Sequence, residues 1–66
     1  MNIEFRADIK RIGKRYSPLV NEYKNGTYVK SFDFADAPIF KDLFSAYSYA
    51  KKEADELNRR FHNEER

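Results

Sequence analysis

The stretch Tyr23-Lys24-Asn25-Gly26-Thr27-Tyr28-Val29-Lys30-Ser31-Phe32-Asp33-Phe34 decides the fold. Asn-Gly between two alternating runs marks a type I′ hairpin, because both central residues of that turn need positive φ. A two-residue loop also sets a register, in which Lys24 faces Thr27, Tyr23 faces Tyr28, Asn21 faces Lys30 and Leu19 faces Phe32. One side of the hairpin then carries Leu19, Tyr23, Tyr28, Phe32 and Phe34, with Asn21 and Lys30 among them. The other carries Val20, Glu22, Val29, Ser31 and Asp33. The first side is richer in aromatic rings and is expected to face the core.

Upstream, Ile3, Phe5, Ala7 and Ile9 alternate with polar residues from Asn2 to Lys10, a period of two that predicts a half-buried first strand. Arg11-Ile12-Gly13-Lys14 reads as the turn that follows it. Arg15 to Lys24 is the second strand. Pro18 has no N–H for a ladder, which predicts an irregular start or an edge position for that strand. Thr27 to Phe34 is the third.

Downstream, Asp36 is a cap candidate for a short helical turn with Pro38 in its first turn, where Ile39, Phe40, Leu43 and Phe44 share one side. Ser45 is a second cap candidate, with Phe44 and Tyr49 placed as a hydrophobic staple. From there Ala46, Ala50, Ala54, Leu57 and Phe61 fall in one narrow helical stripe. Lys51–Asp55, Lys52–Glu56, Asp55–Arg59 and Glu56–Arg60 stand at the spacing of i,i+4 ion pairs, and residues 63–66 are expected to fray. Small residues on the helix and large rings on the sheet are complementary. The predicted fold is α+β: a three-stranded antiparallel sheet with one long C-terminal helix across one face, βββα, in a single domain spanning residues 1–66.

At 66 residues such a chain buries only about 60% of its unfolded surface. It has no cysteine and no His/Cys spacing for a structural metal. Met1-Asn2-Ile3-Glu4-Phe5-Arg6 is not a signal sequence, and no apolar run approaches a membrane span, so a soluble cytoplasmic protein is expected. The net charge of +2 is uneven, with seven Lys/Arg against four Asp/Glu in residues 1–34 and six against seven in residues 35–66.

The residues of an active site are missing. His62, the only histidine, belongs to the last helical turn and reads as solvated there. Gly13 and Gly26 are turn residues and build no phosphate loop. Asp33, Asp36 and Asp42 match no Ca²⁺ or Mg²⁺ loop. Catalysis, a cofactor and a small-molecule substrate are therefore not expected.

Two surfaces remain. Lys10, Arg11, Lys14, Arg15 and Tyr16, joined by Lys24 and Lys30, form a basic, aromatic-flanked set suited to DNA, RNA or an acidic partner. The bland reading of that set is a solubilising turn that blunts a sheet edge. Ile39, Phe40, Leu43, Phe44, Tyr47 and Tyr49 form an apolar cluster, and with eleven aromatics in so small a chain some of it is expected to stay exposed as a protein-binding patch. The bland reading here is a segment that closes the open end of the sheet and completes the core.

A glycine hairpin, then Tyr28-Val29-Lys30-Ser31-Phe32, then Phe44-Ser45 with Ala50 and Ala54 on a helix, resembles the AP2-like, arm-type DNA-binding domains at the start of phage and transposon integrases. The resemblance spans residues 15 to 57 and implies three strands, a helix and a sheet laid in the major groove. The chain departs from that family in its long 35–44 segment and in Glu22, Val29, Ser31 and Asp33, where the family carries basic residues. In type the chain also looks like the stand-alone accessory proteins of phages and mobile elements, anti-CRISPR proteins among them, which plug a host complex. The resulting expectation is a non-catalytic inhibitor or adaptor docked on a host protein or nucleoprotein complex, with a DNA- or RNA-binding module as the alternative. A third reading is a structural subunit that hides its apolar patch by self-association.

Overall fold

The structure, a computed structural model, describes residues 2–34 and 38–64, with side chains as far as His62. Three strands, β1 (Ile3–Ile12), β2 (Arg15–Lys24) and β3 (Thr27–Asp33), form one antiparallel sheet in the order β1-β2-β3, followed by a single helix, α1 (Leu43–Glu64). This is the βββα architecture expected from the sequence. Both hairpins turn on two residues, with positive φ at Gly13 (61°), Asn25 (52°) and Gly26 (83°).

The two turns do not act alike on the register. From Gly13-Lys14 the β1–β2 pairing runs unbroken, with Phe5 opposite Glu22, Ala7 opposite Val20 and Ile9 opposite Pro18. From Asn25-Gly26 the β2–β3 pairing starts as expected, Lys24 to Thr27 and Tyr23 to Tyr28, and then slips by one at a bulge between Glu22 and Tyr23. Glu22 meets Lys30, Asn21 meets Ser31, Val20 meets Phe32 and Leu19 meets Asp33, which leaves Val29 as the extra residue.

The slip corrects the expected core face. Because side chains alternate, one extra residue turns everything after it to the other side of the sheet. Tyr28 stays with Tyr23 on the face away from the helix, whereas Phe32 joins Val20 on the helix side. The core is built from Phe5, Val20 and Ala54, with Ile3, Phe32, Phe34, Leu57 and Phe61 packed around them. Leu19, Tyr23 and Tyr28 are therefore not core residues, and Val20 is.

Of the two readings of Pro18, the edge position is corrected: the proline is buried in the middle strand. Its neighbour Tyr16 directs its backbone toward the β3 side, so the missing N–H of Pro18 falls on that side too. There β3 has already ended at Asp33, and the next contact is a bridge in which the backbones of Tyr16 and Phe40 exchange N–H···O bonds of 2.7 and 2.8 Å. The proline sits in the gap, where no donor is required.

The helix lies over β1 and β2. Ala46, Ala50 and Ala54 are buried against the sheet, and Leu57 and Phe61 continue the stripe. Its start is set by Asp42, not by Ser45 as expected: one Asp42 carboxylate oxygen accepts from the Ser45 backbone N–H at 2.9 Å and from the Ser45 hydroxyl at 2.8 Å. The helix therefore begins three residues earlier, and Tyr49 packs on Phe34 and Phe40 instead of stapling to Phe44. Of the four expected i,i+4 pairs, Lys51–Asp55 (3.8 Å) and Glu56–Arg60 (3.4 Å) form. The Asp36 cap lies outside the described residues, as do 65 and 66 of the expected frayed end, while helix continues through Glu64.

Candidate functional site

At its start the helix stands beside the Gly13-Lys14 turn, because the Tyr16–Phe40 bridge ties the incoming segment to the first residues of β2. That bridge splits the predicted apolar cluster. Phe40 is half-buried, with its ring 5.9 Å from Tyr49, which in turn stands edge-on to Phe34 at 5.6 Å. It anchors the segment and closes the sheet, as the bland reading expects. The other four remain open: Ile39 is 48% exposed, Leu43 53%, Phe44 74% and Tyr47 42%.

Leu43 and Phe44 occupy the first two helical positions, at the end of the molecule that holds the Gly13-Lys14 turn. Leu43 and Tyr47 are one turn apart on the same side. A large apolar side chain held in water at the end of a capped helix contributes little to folding. The cap fixes its position, and the two hydrogen bonds from Ser45 hold the Asp42 carboxyl below its ordinary pKa.

The basic set is divided by the fold. Lys10, Arg11, Lys14 and Arg15 surround the Gly13 turn, all exposed, with the Arg11 guanidinium donating to the Gly13 carbonyl at 3.0 Å. Tyr16 is half-buried beneath the bridge. Lys24 belongs to the opposite turn, about 30 Å away along ten residues of strand. Lys30 lies on the helix side of β3, its ammonium 4.9 Å from the Phe32 ring centre. Four of the predicted cations thus share one end of the molecule with the apolar tip, and two do not. Lys41, exposed between Phe40 and the cap, belongs to the same end. Its sequence signal was its position one residue from the predicted cluster.

The outer face of the sheet is a polar ladder. Tyr28 Oη and Ser31 Oγ are 2.7 Å apart, Ser31 Oγ donates to Asn21 Oδ1 at 2.7 Å, and Asn21 Nδ2 donates to Asp8 Oδ2 at 2.9 Å. Beside it the Arg6 guanidinium covers the Tyr23 ring at 4.3 Å and pairs with Glu4 at 3.1 Å, a hydrogen bond that keeps the Glu4 carboxyl below its usual range. Acidic and basic groups alternate here, so this face has no single-sign field for a phosphate backbone.

Among the described residues no polar or charged side chain is buried, and no three His, Cys, Asp or Glu side chains converge as metal ligands would. No helix there is long and apolar enough to cross a membrane. Comparison with protein-family models, with curated proteins and with solved structures finds no significant match to this chain.

Proposed function

We propose that this chain is a small non-catalytic binding protein, of the accessory type carried by phages and mobile elements, that docks on and blocks a host protein or nucleoprotein complex in the manner of an anti-CRISPR inhibitor. One observation carries the reading: Leu43 and Phe44 open the helix with most of their surface in water. Ile39 and Tyr47 widen that patch, and Lys10, Lys14, Arg15 and Lys41 stand around the same end. Aromatic and aliphatic anchors supply affinity once desolvated, and a cationic rim steers the encounter toward an acidic surface or one already bound to nucleic acid.

Affinity capture from an extract of the native host, with and without nuclease, tests this proposal. A partner protein should be retained by the native chain after nuclease treatment and lost by a folded Leu43→Ala/Phe44→Ala variant. Retention of nuclease-sensitive material alone, unaffected by that variant, would instead support a nucleic-acid-binding module centred on the basic turn.

A further inference from the structure

The β1 edge carries a second, independent pattern. Its ten-residue register against β2 has no bulge, so the open side of the strand is straight, whereas the β3 edge is interrupted at Val29. The N–H groups of Phe5 and Ile9 bond side chains and not β2, which places the backbone groups of Ile3, Phe5, Ala7, Ile9 and Arg11 on the open side. Centred on Ala7, the sequence of β1 is complementary to itself in reverse. An antiparallel pair with Ala7 opposite Ala7 puts Glu4 opposite Lys10 and Arg6 opposite Asp8 on the outer face, each twice by symmetry. On the helix side it sets Phe5 opposite Ile9.

The helix repeats the arrangement at the same level. It runs antiparallel to β1, since the segment leading into it is bridged at Phe40 to Tyr16 while Asn58 and Phe61 meet Phe5. Two strand residues from Phe5 to Ala7 correspond to about four helical residues back from Asn58, close to Ala54. Lys51 and Asp55 flank that level, both exposed, and with Ala7, Tyr47 and Asn58 they line an open groove of ≈ 390 Å³ between helix and edge. A two-fold axis through Ala7 therefore sets Lys51 of one helix toward Asp55 of the other.

We propose that β1 is a self-association edge, and that a second copy of this chain pairs with it antiparallel about Ala7 to give one six-stranded sheet with both helices on the same side. Asn58 regulates the pairing. Its amide occupies both outward groups of Phe5, accepting from the N–H at 2.7 Å and donating to the carbonyl at 2.9 Å, and the second copy's Ile9 must displace it.

Analytical ultracentrifugation of the whole chain, from low micromolar to near-millimolar concentration, tests the proposal. The expected result is a reversible monomer–dimer equilibrium starting from the 7.9 kDa monomer. Lys10→Glu creates two like-charge pairs and should weaken the dimer about tenfold, and Glu4→Lys/Lys10→Glu should restore it. Ala7→Pro removes an N–H that β2 does not use and should leave a folded monomer. A chain that stays monomeric throughout overturns the proposal. So does a dimer that is indifferent to Lys10→Glu, or one lost in Phe44→Ala.

Discussion

Asn58, about four turns along the helix from a capped start, holds the Phe5 peptide groups with both ends of its amide, at 2.7 and 2.9 Å. A helix side chain thus replaces one residue of a missing neighbouring strand. Asn58→Ala leaves a part-buried donor and acceptor without partners and should cost about 1–3 kcal/mol of stability. Urea denaturation at low micromolar concentration, where self-association is small, measures this. Asn58→Asp loses only the donor to the Phe5 carbonyl and should also be destabilised.

Val29 is the residue the β2–β3 register does not use. Deleting it heals the bulge and leaves Tyr28 on the outer face and Phe32 against Val20, since those positions then alternate without interruption. The deletion should therefore cost no more than about 1 kcal/mol, with the Phe5–Phe32 contact (6.2 Å between ring centres) retained in nuclear Overhauser spectra. Loss of cooperative unfolding would contradict the assignment of Val29 as the extra residue.

How much of this was legible in the sequence follows from those two hairpins. Asn25-Gly26 announces its own turn and the first two pairs of its register, and the helix stripe from Ala46 to Phe61 is read correctly from its spacing. The buried face is not, because one unmarked extra residue reverses it. The better guide was the other turn. A two-residue loop at Gly13-Lys14 puts Ala7 opposite Val20 and Ile9 opposite Pro18, and the apolar side of β1 then identifies the core. The half-burial of Phe40 is not legible for a related reason, since a bridge between Tyr16 and a loop residue leaves no periodic trace. The split of the basic set, with Lys24 and Lys30 apart from Lys10 to Arg15, follows from strand length alone once the turns are fixed.

Ala50, like Ala46, has no exposed surface and stands in the middle of the buried alanine ridge. Ala50→Leu forces extra volume into that contact and should destabilise the fold by about 1–3 kcal/mol, read as a lower urea midpoint at constant slope. A neutral result would mean that the helix does not pack on its alanine ridge.

Asp42 ties the helix start to pH. Its carboxyl is held below the ordinary value of 3.8 by hydrogen bonds from the Ser45 hydroxyl and backbone. A group whose folded pKa is depressed contributes fully above its unfolded value and loses that contribution as pH falls through the folded one. Stability should therefore decline below about pH 4. Asp42→Asn keeps an acceptor without the titration and should show a flatter acid limb in thermal melts.

The central claim, that the helix opens on a docking anchor, is tested most directly by measuring the affinity of the captured partner for the native chain and for Phe44→Ala, with thermal unfolding of both run in parallel. The expected result is a loss of about 2 kcal/mol or more of binding free energy, some thirtyfold in Kd, with the unfolding midpoint unchanged. Equal affinity for a folded Phe44→Ala variant would contradict it.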